Sequence, residues 1–180
     1  MNDAASMNDS GTMESVPPAI AVIGVGLRLS GGISSTEDFW NMLVNKGDGR
    51  CRVPSDRYNV DAFLGVQSGR GVASEYGYFL KDVNLKAFDA GFFPIPRSEI
   101  GSLDPQQRLL LEVVYECMES AGQTDWRGSD IGCYVGAFGQ DWQNMLAGDT
   151  LAKNHFAVFG GDDFALANQI SYVYDLRGPR

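Results

Sequence analysis

Few of the side chains that carry out most enzymatic chemistry occur in this chain. Among 180 residues there are three cysteines, Cys51, Cys117 and Cys133, and one histidine, His155. Three widely spaced cysteines build neither a disulfide framework nor a zinc cluster, and a reducing, cytoplasmic setting suits them. No apolar run approaches the roughly 20 residues of a membrane span. The N-terminus has neither a basic head nor an apolar core, so it does not read as a secretory signal. Basic residues are scarce too. The formal net charge is −9, and the imbalance is spread along the chain, with 8 basic against 11 acidic residues in the first ninety and 6 against 12 in the second. Counterion release needs clustered lysine and arginine, so nucleic acid is not an expected partner. The composition is otherwise that of a globular chain: 44% hydrophobic and 21% charged, enough apolar side chain to form a core.

Residues 1–16, MNDAASMNDSGTMESV, are small, polar and aperiodic, and read as a disordered leader. Residues 17–180 form the body. Ala19–Val25 (AIAVIGV) is a short apolar, β-branched run of the kind that forms a buried strand. Gly24, Gly26, Gly31 and Gly32 mark the turn after it. Thr36-Glu37-Asp38 starts a helix whose apolar face carries Phe39, Trp40, Leu43 and Val44. From Asn45 to Ala87 the texture is loop, and a connection of that length is uncommon without a function of its own.

The strongest local signal is DPQQRLLLEVVYECMESAG over 104–122. Asp104 is a good N-cap, Pro105 suits the first helical position, and Gln107 stands where a capping box places its second member. Leu110, Val113, Val114, Cys117 and Ala121 recur at the spacing of one buried face, and Gly122 is placed to end the helix in the left-handed region. Ile131–Ala137 (IGCYVGA) reads as a second buried strand. Asp162 or Asp163 starts a last helix, with Leu166, Ile170, Val173 and Tyr174 on one face and Gly178-Pro179 as its stop. Strand, helix, helix, strand, helix implies a layered α/β fold.

Complete catalytic sets are missing. Gly24-Val25-Gly26 opens like a dinucleotide-binding fingerprint, but its third glycine would fall at Leu29, and the acid at Asp48 lies in a Gly-Asp-Gly turn. No phosphate-cradling G-x-x-x-x-G-K-[ST] is present. Cys117 and Cys133 read as core residues. Cys51, between Arg50 and Arg52, lies in a basic loop that could lower its pKa, nothing local supplies a base, and a cysteine hydrolase using Cys51 with His155 is a further rival reading. Asp162-Asp163 is adjacent rather than spaced for joint metal ligation, and helix capping accounts for it. Gly160-Gly161 beside these acids makes a helix-entry bend or a tight turn near a ligand. Trp40, Trp126 and Trp142 suit a packed body.

Read in order, several strings resemble the ketosynthase (β-ketoacyl synthase) domain of type I polyketide synthases. Ala19–Gly24 resembles its opening strand, and Arg28 with Gly31-Gly32 its R-x-x-G-G continuation. Val53-Pro54-Ser55-Asp56-Arg57-Tyr58 resembles V-P-x-D-R-[WY], Gly77–Leu80 resembles G-x-F-L, and Phe88–Phe93 resembles F-D-A-x-F-F. Asp104–Glu112 is the highly specific D-P-Q-Q-R-x-x-L-E. Gly132–Gly136 resembles G-x-[FY]-V-G, and Ala167–Tyr172 with Leu176–Pro179 resembles A-x-R-I-S-Y…L-x-G-P. The wording leans toward the fungal, highly reducing, iterative type.

The resemblance implies a thiolase-like, layered α-β-α-β-α fold, of which this chain carries the N-terminal part. It implies decarboxylative Claisen condensation of an acyl thioester with malonyl-acyl carrier protein in the full domain. The partners would be an acyl carrier protein bearing phosphopantetheine, the malonyl and acyl thioesters, and a second subunit, with no cofactor or metal bound directly and no membrane. Residues 137–163 would help shape the dimer contact and acyl pocket. Three departures stand out. Phe93-Pro94-Ile95-Pro96-Arg97 replaces F-x-I-S-P, Gln169 stands where the family has arginine, and the sequence stops at Arg180. The family's nucleophilic cysteine, in a D-T-A-C-S-S context, and its two histidines match nothing here. No catalytic residue is therefore assigned, and the 180 residues alone are expected to be inactive and to fold poorly. The rival expectation is a non-catalytic ketosynthase-like module that pairs with a complete partner.

Overall fold

The computed structural model describes residues 18–65, 71–148 and 162–180. The proposed leader, His155 and Gly160-Gly161 lie outside these residues. Five α-helices, a one-turn 3-10 helix (Val60–Ala62) and a short ribbon are found among those described: α1 (Thr36–Val44), β1 (Cys51–Arg52), β2 (Tyr76–Gly77), α2 (Arg97–Ile100), α3 (Pro105–Ser120), α4 (Asp141–Gly148) and α5 (Asp163–Val173). The strands β1 and β2 pair antiparallel, Cys51 with Gly77 and Arg52 with Tyr76.

Two helices hold the core. Asp104 caps α3, its side chain accepting from the N–H of Gln106 at 2.7 Å. Gln107 makes no capping box, since its side chain turns into the core instead. Among the described residues a capping box forms at α1, where the Ser35 hydroxyl accepts from the Asp38 N–H at 3.1 Å and the Asp38 carboxylate accepts from the Ser35 N–H at 3.1 Å. That arrangement holds the exposed Asp38 carboxyl below its ordinary range, the Ser35 hydroxyl being the main cause. At its far end α3 closes as expected. Gly122 adopts φ +67, and the N–H groups of Gly122 and Gln123 return to the carbonyls of Glu119 and Met118 at 2.9 Å each, satisfying two orphan acceptors.

The buried face of α3 is centred on Gln107 and Leu111, with Leu110, Val114, Tyr115 and Met118 beside it. Against it lie Ile170, Val173 and Tyr174 of α5 and its exit, the predicted face of that helix. Phe93, Ile95, Leu103, Trp126 and Leu176 complete the cluster. Burial of this many large apolar side chains is the main stabilising term. α5 stops earlier than Gly178-Pro179: Asp175 takes the left-handed conformation at φ 52, and the Leu176 N–H bonds to the Ser171 carbonyl at 2.8 Å.

Both predicted long strands are corrected by the structure. Ala19–Val25 and Ile131–Ala137 are not in any sheet among the described residues. The first is an apolar arm with Ile20 93% and Val22 83% exposed. The second packs Ile131, Cys133 and Val135 against the core cluster and donates a main-chain bond, Cys133 N–H to Pro179 carbonyl at 2.8 Å, while Tyr134 and the following Phe138 are exposed. A strand needs a neighbour for its ladder, and β-propensity alone supplies none. The face predicted for α1 is likewise uncovered at Trp40, Leu43 and Val44, so Trp40 is not part of the packed body as Trp126 is.

Candidate functional site

The long helix α3 organises several of the motif strings around itself. On one flank runs the arm. A Cβ added to Gly24 would stand 2.7 Å from the Cβ of Ala121, and one added to Gly26 would stand 3.1 Å from the N of Cys117. The two glycines let one backbone lie against another, which explains them without a dinucleotide. Just beyond, Arg28 grips Glu116 in a two-pronged ion pair, Nη1 to Oε2 at 2.7 Å and Nη2 to Oε1. The carboxylate raises the guanidinium pKa, and burial of the arginine works against it. Nearby Glu112 is pushed up, first by burial, with Arg28 opposing and Glu116 and Asp89 adding to the rise.

On the core flank the aromatic string Phe88–Phe93 packs ring on ring. Phe88 stacks on Phe93 at 5.0 Å, and Phe92 meets Tyr115 edge-on at 4.9 Å. Tyr174 lies 4.5 Å from Trp126 and donates its hydroxyl proton to the Leu111 carbonyl at 2.6 Å. Trp142 of α4 donates to the Ser102 carbonyl at 2.9 Å. Arg57 of the V-P-S-D-R-Y string donates to the Leu80 carbonyl at 3.1 Å, which ties two of the motifs together. The Phe93-Pro94-Ile95-Pro96-Arg97 departure is accommodated. Phe93 and Ile95 are both buried, the Ile95 N–H turns back to the Phe93 carbonyl at 2.8 Å, and Pro96 heads α2. Gln169 is half-buried on α5. Between the ends of α3 and α5 is a cavity of about 510 Å³, walled by Phe92, Tyr115, Trp126 and Tyr174, with Glu119 and Arg127 also lining it.

Three cysteines are present, and none of them faces a base among the described residues. Cys51 sits in β1, but the guanidinium of Arg50 lies over the Tyr76 ring at 5.0 Å, and Arg52 is paired with Asp61 and, at 2.8 Å, with Glu75. Cys117 borders the glycine arm. Burial pushes the Cys133 thiol up, with a hydrogen bond to Ser171 opposing, so the reactive thiolate is disfavoured. The oxygen Oδ1 of Asp162 accepts from Gln143 at 2.7 Å instead of capping α5. Among the described residues no three metal-ligating side chains converge, and no helix is long and apolar enough to cross a membrane.

Residues 18–180 match the family described as beta-ketoacyl synthase, N-terminal domain. The chain belongs to this family. It is 56% identical over 167 residues to highly reducing polyketide synthase g433 of a Fusarium species, covering 92% of this chain and 7% of that protein. It is 49% identical over 181 residues to highly reducing polyketide synthase gloL of Glarea lozoyensis, covering 99% of this chain and 7% of that protein. Among solved structures, the ketosynthase from module 6 of the bacillaene synthase of Bacillus subtilis 168 superposes with TM-score 0.69 at 27% identity, over 88% of this chain and 25% of that one. An oxazolomycin ketosynthase domain from Streptomyces albus JA3453 gives TM-score 0.65 at 26% identity, over 88% and 28%. The fold is therefore the N-terminal part of a ketosynthase, thiolase-like in architecture. The expected resemblance, down to the fungal highly reducing type, holds.

Among the described residues several of the ketosynthase motifs pack around α3. Sequence reasoning treated Tyr174 only as an apolar face member and Arg28 only as a motif letter. The phenol bond and the clamp both depend on partners 63 and 88 residues away, which no local spacing could signal.

Proposed function

We propose that this chain is the N-terminal part of the condensing domain of a fungal, highly reducing, iterative polyketide synthase. The observation that carries the reading is the match over residues 18–180, which includes the D-P-Q-Q-R-x-x-L-E helix. In the full domain a cysteine thiolate takes the acyl chain as a thioester. A malonyl unit on the phosphopantetheine arm of an acyl carrier protein loses carbon dioxide, and its enolate carbon attacks the acyl carbonyl. The new carbon–carbon bond expels the cysteine thiolate. On this reading the partners are the carrier protein, both thioesters and a second ketosynthase subunit, in the cytoplasm. Within this chain α3 and its clamps support the reacting groups, and the 180 residues alone do not condense. The three cysteines are half-buried and none faces a base among the described residues, which supports that reading.

The test is a transplant. Residues 18–180 of this chain replace the matching segment of the Fusarium relative, and chain extension from malonyl thioesters is followed by mass spectrometry. Condensation close to the parental rate is expected. A chimera that folds, forms subunit pairs and never extends a chain points instead to a non-catalytic, ketosynthase-like module, and the reading fails.

A further inference from the structure

The cavity between the ends of α3 and α5 has two kinds of wall. One is aromatic: Trp126 and Tyr174 are buried and Tyr115 is half-buried, with Phe92 beside them. The other is charged, since the exposed residues Glu119 and Arg127 line the same space. These two groups carry opposite charge, yet neither forms an ion pair with the other or with any other described residue. Arg127 gives one donor, Nη2, to the Val173 carbonyl at 2.9 Å. That bond anchors the guanidinium at the end of α5 and leaves it donors to spare. Glu119 stands in the last turn of α3, where the negative end of the helix adds to its preference for a cation. The volume of about 510 Å³ is that of a small-molecule site, and aromatic walls with a few polar groups are the usual lining of one.

We propose that this cavity binds an aromatic zwitterion: a small molecule with one ring system, one ammonium and one carboxylate, of which free aromatic amino acids are the simplest. The ring enters among the aromatic side chains, the carboxylate meets the Arg127 guanidinium, and the ammonium meets Glu119. A neutral apolar ligand would leave both charges unanswered, and an aromatic acid or amine alone would answer only one. The lining residues all fall between Phe92 and Tyr174. The inference rests on them and stands or falls independently of condensing activity.

The test is isothermal titration calorimetry of L-tryptophan into the full 180-residue chain and into the transplant described above, where the segment sits in a complete synthase. Saturable one-to-one binding is expected in both. Tryptamine lacks the carboxylate and indole-3-propionate lacks the ammonium, so each should bind at least about tenfold more weakly. L-leucine, which lacks the ring, should not bind measurably. Arg127→Gln should bind L-tryptophan no better than tryptamine, and Glu119→Gln no better than indole-3-propionate, while Arg127→Lys, which keeps the cation, recovers part of the loss. A purely structural role for either residue would instead weaken all the indole ligands alike. Failure of L-tryptophan to bind the transplant, equal affinity for the indole ligands, binding of L-leucine, or a uniform loss in both variants each overturns the proposal.

Discussion

Tyr174 shows how much one side chain can be asked to do. Its ring joins Phe93 and Trp126, and its hydroxyl crosses to the main chain of α3. Burial, the largest influence, raises its pKa above the ordinary value, with Tyr115 adding and Arg127 opposing. The phenol is neutral in the folded state and ionises more readily unfolded. Its contribution is then whole below the unfolded pKa of about 10 and is lost as pH rises beyond it. Tyr174→Phe should cost about 1 kcal/mol near neutrality, the net worth of one buried hydrogen bond. In urea titrations from pH 7 to 11 it should also flatten the alkaline loss of stability. An unchanged alkaline slope in the variant would assign that loss to other groups. The left-handed residues make a second point at this scale. Lys46, Gly122 and Asp175 occupy equivalent positions after α1, α3 and α5, yet glycine stands at only one of them.

At the scale of elements, the arm and α3 depend on two glycines and one ion pair. A methyl group at Gly26 collides with helix backbone, not with the end of a flexible side chain, so the helix cannot yield. Gly26→Ala should lift the arm, free Arg28 from Glu116 and shorten amide protection along residues 113–121 in hydrogen-exchange mass spectrometry. Protection equal to the parent would mean that the arm contributes nothing to the helix. Helix α3 itself was legible residue by residue, because its cap, first-turn proline and terminal glycine are local chemistry. Its buried face was only half legible: Leu110 and Val114 do pack on the core, whereas Val113 and Cys117 serve the arm, and Gln107 and Leu111 point inward instead. A helix touched on two sides shows a wide apolar arc, from which spacing alone cannot pick the inner strip.

For the molecule as a whole, the uncovered apolar surface is the dominant fact. Ile20, Val22, Trp40, Tyr134 and Phe138 are all exposed, and the chain spans about 7% of the length of the curated relatives it matches. Stability is a small difference between large terms, so a molecule with this much unburied apolar surface should melt early. If association covers part of that surface, the midpoint should rise with protein concentration. Scanning calorimetry at several concentrations checks this. A sharp, cooperative, concentration-independent transition from a monodisperse monomer would contradict the expected poor folding.

Residue chemistry read along the chain was enough to define the caps and stops of α3, the inner face of α5 and, through motif strings, the ketosynthase family. These depend on neighbours within a few residues or on letters in order. Tertiary structure alone decided that the two β-branched runs join no sheet among the described residues, that Gly24 and Gly26 serve a helix backbone, and that Arg28 and Tyr174 clamp α3 from opposite ends of the chain. Pairing, close approach and buried hydrogen bonds each need a partner distant in sequence, and one-dimensional spacing holds no information about where that partner will lie.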